Sequence, residues 1–155
     1  MKLTIRESKN FAVGYDAEKI SLSAFNDALC EILTKVGEDA VKEARENGSY
    51  QDRTGNLRSS IGYVVLRNGR VVSQSASAQF DGPAGQGAEG VAAGRNLLSR
   101  IARDYPSGIA LVVVAGMSYA VYVEDYRGKN VLSSSRQKAL AQVPALLKAV
   151  GFDVM

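Results

Sequence analysis

The stretch that decides the fold is LSAFNDALCEILTKVGEDAVKEARE, residues 22–46. Its apolar residues recur in steps of three and four, so they form one continuous stripe along a helix. The charged residues fall mainly on the other faces of that helix. We therefore predict a long amphipathic helix over Asp16–Glu46, which ends at the Asn-Gly pair 47–48.

Strand patterns lie on both sides of this helix. In KLTIR, residues 2–6, apolar and polar residues alternate, as in a short strand with one buried face. Valine-rich runs flank the Asn-Gly pair 68–69, which is the strongest short-range signal for a hairpin and predicts one over residues 61–77. Ile109–Ala115 has the composition of a buried strand, and Ser118–Asp125 predicts a second strand connected to it through Gly116.

Two further helices complete the predicted order. Residues 78–90 are rich in glycine and predict a mobile loop, and Val91–Asp104 predicts a helix that buries Leu97, Leu98 and Ile101. Ser135–Val150 is also helical in pattern, and Pro144 within it should kink or split the helix. The buried side of this last helix is predicted to comprise Leu140, Val143, Leu147 and Val150.

The order of these elements predicts the α+β class. We expect an antiparallel sheet with a long N-terminal helix, an inserted helix and a C-terminal helix packed against it. Residues 1–155 have the length of a single domain, within which 78–108 reads as an insertion of a flexible glycine-rich loop and a helix.

Composition excludes several kinds of chemistry. The 155 residues include no histidine and only Cys30, so one chain cannot form the usual zinc sites or the Ser–His and Cys–His nucleophiles. A lone cysteine also excludes an intrachain disulfide, which fits a reducing compartment. The start MKLTIRES has no apolar signal core and no run approaches the length of a membrane span, so a soluble protein is expected.

Three short patterns could carry enzymatic or nucleotide chemistry, and each also has an ordinary structural interpretation. Residues 85–90 match GxGxxG, but no buried strand precedes them, so a glycine-rich loop explains the match. Glu124 and Asp125 are neighbours on a predicted strand and therefore point to opposite faces. Ser135 and Lys138 have the spacing of a Ser–Lys nucleophile, yet a serine that caps a helix looks the same.

One further motif comprises Thr54-Gly55-Asn56-Leu57-Arg58-Ser59-Ser60-Ile61. Thr54 is predicted to cap a short helical turn there. This stretch resembles the T-G-x-L-R-x-S-I signature of a tailed-phage morphogenesis family. That family comprises the tail-component or head–tail joining proteins typified by the tenth gene product of a lambdoid siphophage. Its second hallmark, a Y-A-x-Y-V-E strand, is matched by Tyr119-Ala120-Val121-Tyr122-Val123-Glu124. The likeness covers Leu22–Leu66 and Ile109–Val150, whereas the family's aromatic and Gly-Thr after the glutamate are replaced by Asp125-Tyr126-Arg127-Gly128.

The resemblance implies a non-enzymatic phage or prophage structural protein of the head–tail junction or upper tail. Its partners would be further copies of itself, in a ring-like homo-oligomer, and connector or tail proteins. It would be found in the host cytoplasm during assembly and then in the virion, and it needs no cofactor, metal, nucleic acid or membrane. We expect the polar interface to include Arg53, Arg58 and Glu124, with Leu57 and Tyr122 packing beneath it. The full set of candidate interface residues is Arg53, Thr54, Arg58, Tyr119, Tyr122 and Glu124.

Two other hypotheses stay open at this point. The net charge of +3 and Arg67 and Arg70 at the hairpin tip are compatible with a small basic nucleic-acid-binding accessory protein. Because the basic residues are spread along the chain, no concentrated patch supports it. An enzyme, which would depend on Ser135 with Lys138 or on the carboxylates, is the third hypothesis.

Overall fold

The structure, a computed structural model, describes residues 2–6, 10–15, 23–47, 54–76, 78–83, 85–117 and 132–149. Within these ranges the chain forms five strands and four helices. The strands are β1 (Lys2–Arg6), β2 (Asn10–Tyr15), β3 (Ile61–Arg67), β4 (Arg70–Gln74) and β5 (Ile109–Ala115). The helices are α1 (Ser23–Asn47), α2 (Asn56–Ser59), α3 (Ala88–Ala102) and α4 (Ser133–Ala149).

The five strands form one antiparallel sheet in the order β1-β2-β5-β3-β4. This confirms the predicted α+β class and the predicted strands in KLTIR and Ile109–Ala115. β5 is central because β2 and β3 pair with its two sides, in register from Phe11 opposite Val113 and from Ile61 opposite Ala115. The central position explains why every residue of IALVVVA is buried.

Helices cover the sheet on both faces, so the domain has three layers. Tyr63 and Val65 of β3 belong to a large core shared with α1 and α4. Val64 and Leu66, which alternate with them, belong to a smaller core with Leu97 and Ile101 of α3. The alternation follows from the two-residue period of a strand. The inserted helix is therefore a structural layer of the domain.

The predicted hairpin is formed by β3 and β4. Asn68 has φ 51° and Gly69 has φ 79°, the two positive angles that a tight two-residue hairpin turn requires. The pairing is irregular between Val65 and Leu66, where β4 contains an extra residue. The hairpin tip is tied to the segment before β5, since the Asn68 N–H donates to the Gly108 carbonyl at 2.8 Å.

The apolar stripe of α1 lies against the sheet as predicted. Its buried residues include Leu29, Leu33, Val36, Ala40 and Ala44. The helix is observed from Ser23, and the predicted part before Leu22 lies outside the described residues, as does the predicted strand Ser118–Asp125.

Several predicted details of the other elements are wrong. The predicted split of α4 at Pro144 does not occur, because the helix is continuous from Ser133 to Ala149. Leu140, which was predicted to be buried, is 43% exposed, and Ala139 is buried instead. Pro144 removes one helical hydrogen bond and crowds the carbonyl of Leu140, and the packing of Val143 and Leu147 against α1 offsets this cost. α3 begins at Ala88 and ends at Ala102, and β2 was not among the predicted strands.

Candidate functional site

The TGNLRSS segment forms a tight corner between α1 and β3. Gly55 has φ 84°, a left-handed conformation that favours glycine, and α2 follows immediately. The hydroxyl of Thr54 accepts the Asn56 N–H at 3.2 Å, but the N-cap of α2 is Gly55, so the prediction that Thr54 caps the helix is wrong. Leu57 is buried in the larger core, which agrees with its predicted packing role.

The first turn of α3 packs directly on this corner. The side chain of Asn56 accepts the Gly90 N–H at 3.0 Å and donates to Glu89 at 3.4 Å. A Cβ atom at Gly90 would collide with the Asn56 backbone, and one at Gly87 would collide with the Ser59 hydroxyl. The GxGxxG match therefore has a packing role, because its last two glycines allow the two backbones to approach.

Phe80 is held on the other side of the corner. The Ser59 hydroxyl accepts the Phe80 N–H at 2.8 Å and donates to the Phe80 carbonyl at 3.2 Å. Arg45 and Arg58 lie over the Phe80 ring, with their guanidinium carbons 5.4 and 5.5 Å from its centroid. Such arginine–aromatic contacts are attractive. We call Arg45, Arg58 and Phe80 the arginine–phenylalanine cluster. The segment predicted to be a mobile loop thus makes specific contacts here.

A groove of about 660 Å³ adjoins this cluster. It is lined by side chains that include Glu38, Lys42, Arg45, Arg58, Tyr63 and Phe80. The Tyr63 hydroxyl donates to Glu38 at 3.3 Å, and burial, together with the charge of Glu38, raises its pKa. Tyr63 therefore stays a neutral hydrogen-bond donor at physiological pH. The side chains that line the groove include both acidic and basic residues.

The predicted site residues are only partly within the described structure. Thr54 and Arg58 lie together at the corner, both half-buried. The others lie outside the described residues: Arg53, Tyr119, Tyr122 and Glu124.

Sequence reasoning missed three residues that build this site, Arg45, Asn56 and Phe80. A usable signal existed for one contact, because Gly90 and Gly94 have the small-xxx-small spacing of a close helix contact. Nothing local links Phe80 to Ser59, since the two are separated by 21 positions.

Ser135 and Lys138, the catalytic candidates that lie within the described residues, both make structural contacts. Ser135 is fully buried and its hydroxyl donates to the Leu132 carbonyl at 2.9 Å, so it lies inside the first turn of α4 and is not a cap. Lys138 pairs with Glu43 on α1 at 3.9 Å. Burial raises the pKa of the Cys30 thiol, which keeps it protonated and a poor nucleophile. Glu124 and Asp125 lie outside the described residues.

At the hairpin tip, Arg67 pairs with Asp27 of α1 at 2.7 Å, whereas Arg70 is exposed. Over the part of the chain that the structure covers, no cluster of three acidic or cysteine side chains is placed to hold a metal ion. None of the helices in that part has the length and apolarity needed to cross a membrane.

Profiles of known protein families, curated proteins and solved structures were compared with the chain, and none of them matches it.

Proposed function

We propose that the chain is a non-enzymatic phage or prophage assembly protein of the head–tail junction or upper tail, which acts through subunit–subunit contacts. The observation that carries this proposal is the corner at Thr54–Ser60. The segment with the family-like signature bonds to Phe80 and to α3, and Phe80 in turn contacts Arg45 of α1. A sequence motif that holds neighbouring segments in place maintains the shape of a surface and requires no catalytic side chain.

The arginine–phenylalanine cluster provides the surface on which we base the contact. Arginine and aromatic residues are enriched at protein interfaces and among the residues that dominate binding energy. Arg58 and Phe80 are both half-buried, so each has part of its side chain available to a partner. Because Arg45 contacts the Phe80 ring and Ser59 bonds the Phe80 backbone, binding would require little additional ordering.

Repeated contacts of one kind between identical subunits close into a ring when the rotation between neighbours allows it. In this proposal Arg58 and Thr54 of each copy contact the next copy or a connector or tail protein. Arg53, Tyr119, Tyr122 and Glu124 are proposed to act at the same interface on the basis of the family resemblance.

The test is the mass of the purified chain by light scattering over a range of concentrations, alone and mixed with connector and tail proteins, with negative-stain imaging of the peak. We expect a closed ring of defined stoichiometry. Arg58→Ala should weaken that assembly, while Arg103→Ala, which removes an exposed arginine at the end of α3, should not.

Phage that lack the gene should accumulate unjoined heads and tails. Normally joined virions from such a deletion would contradict the proposal, whatever the oligomeric state of the isolated chain.

The nucleic-acid alternative has one observation in its favour, the exposed arginines Arg70, Arg95 and Arg103. It predicts DNA or RNA affinity that falls steeply with salt. Absence of binding at low salt would remove it.

A further inference from the structure

β4 forms one of the two edges of the sheet, and its valine side chains are unusually exposed for an edge strand. In the described part of the chain, no strand pairs with β4 on the side away from β3. Val71 is 54% exposed and Val72 is 48% exposed. Natural proteins usually protect such edges, because unpaired backbone groups recruit further strands.

The backbone of β4 is oriented to accept another strand. The N–H of Ser75 donates to the Tyr63 carbonyl at 3.0 Å, so it points toward β3. Successive residues of a strand alternate in direction, and the N–H and C=O of Gln74 therefore point outward. The irregularity near Val65 and the short length of β4 restrict any added strand to a few residues.

A groove of about 560 Å³ lies beside this edge, between β4 and α3. Val64, Val71 and Leu98 give it apolar walls. Among the described residues that line it, the charged side chains are Arg45 and Arg95, and no carboxylate is present. An occupant with apolar side chains and negative charge would therefore complement it.

A second copy of the chain fits this edge poorly. Antiparallel pairing of β4 with another β4 would place the two grooves on the same face of the joined sheet, and the described lining of each groove contains Arg95 and no carboxylate. The opposite edge strand, β1, has the sequence KLTIR, which also supplies cations and no carboxylate. Like charges placed opposite each other across a strand pair are destabilising.

We propose that β4 and this groove form a docking site for an extended acidic segment of a partner protein. The segment adds to the sheet as a strand beside β4. Its apolar side chains lie over Val71 and Leu98, and a carboxylate pairs with Arg95. This inference goes beyond the proposed function, because it holds for any partner that presents such a segment.

The experiment uses the full chain and two capped heptapeptides, Val-Thr-Glu-Thr-Val-Thr-Val and the same sequence with lysine in place of glutamate, in which the valines and the charged residue lie on one face of a strand. Backbone amide NMR shifts are followed during titration. The glutamate peptide should shift the amides of Val72 and Gln74 and bind about fivefold or more tightly than the lysine peptide, as expected for loss of an exposed ion pair.

Charge reversal at the groove provides the decisive variant. Arg95 is exposed, so Arg95→Glu should fold normally and should abolish or reverse the preference between the two peptides. Lys148→Glu makes the same change in net charge at an exposed position of α4 and should leave the preference between the two peptides unchanged.

Three results would overturn the inference. One is a lack of peptide-induced shifts in β4, and another is an unchanged preference in Arg95→Glu. The third is a shift of the β4 amides with protein concentration alone, which would make a second copy the occupant.

Discussion

The two faces of the sheet are built in different ways. On one face, α1 and α4 enclose a large apolar core that includes Leu33, Val36 and Leu111. On the other face, the shorter α3 covers only the middle of the sheet, and Val71 on the edge strand stays exposed. The first face contains the larger core and, at its margin, the groove beside the arginine–phenylalanine cluster, while the second face has a smaller core and an exposed edge strand.

The largest expected effect is the loss of stability when a leucine is truncated in either core, and it should differ between the two cores. Leu33→Ala on α1 should lower the free energy of unfolding by about 4 kcal/mol, and Leu97→Ala on α3 by about 2 kcal/mol, because the smaller core is closer to solvent and collapses more easily. Urea denaturation measures both values. An equal or larger loss for Leu97→Ala would show that the α3 face is the more tightly packed one.

A second comparison concerns how α3 is attached. Gly90→Ala should destabilise the protein by about 1 to 2 kcal/mol, because the added Cβ collides with the Asn56 backbone. Alanine is the better helix former, so propensity alone predicts a gain of about 1 kcal/mol.

Ala92→Gly, at an exposed position of the same helix, is the matched control and should show only a propensity loss of about 1 kcal/mol. A more stable Gly90→Ala variant would mean that α3 is not in close contact with the corner.

The contact between Ser59 and Phe80 should contribute less. Ser59→Ala removes two hydrogen bonds to the Phe80 backbone and should cost about 1 kcal/mol. The amide hydrogen of Phe80 should then exchange faster with solvent. Ser99→Ala, at an exposed serine on α3, should leave that exchange rate unchanged. Slow exchange of Phe80 in Ser59→Ala would contradict the proposed attachment.

The smallest effect is a pH dependence on the α1–α4 face. Burial favours a higher pKa for Asp39, but hydrogen bonds from Gln142 and Lys35 outweigh it and lower the pKa below its usual value. Because the folded pKa is the lower one, this stabilisation is present above the unfolded pKa of ~3.9 and is lost as the pH falls through the folded value.

On acidification from about pH 5 to about pH 2, the free energy of unfolding of the Asp39→Asn variant should therefore fall less than that of the unchanged protein. Thermal unfolding in that range tests the difference. Identical acid sensitivity of the two proteins would exclude a contribution from Asp39.

Much of the fold follows from local patterns. The stripe of α1, the Asn-Gly hairpin and the apolar run of β5 each have one dominant physical cause within a short window. The continuity of α4 does not, because packing on α1 decides whether Pro144 ends the helix. β2 was overlooked, although Phe11, Val13 and Tyr15 in NFAVGY alternate with smaller residues as in a strand that pairs with β1 and β5.

The site was less predictable than the fold. Leu57 and Arg58 were found because they belong to a continuous motif. Arg45 and Phe80 lie on separate segments that only the tertiary structure brings together. The open β4 edge was equally hidden, because it depends on strand order and not on the sequence of β4 itself.

The most direct test of the difference between the two faces is hydrogen exchange of individual amides in the isolated chain. We predict strong protection throughout β5 and at Ser75, whose N–H bonds to Tyr63, together with rapid exchange at Gln74, whose N–H points outward. Protection of Gln74 equal to that of β5 would contradict the account, because the edge assigned to a partner would already be covered.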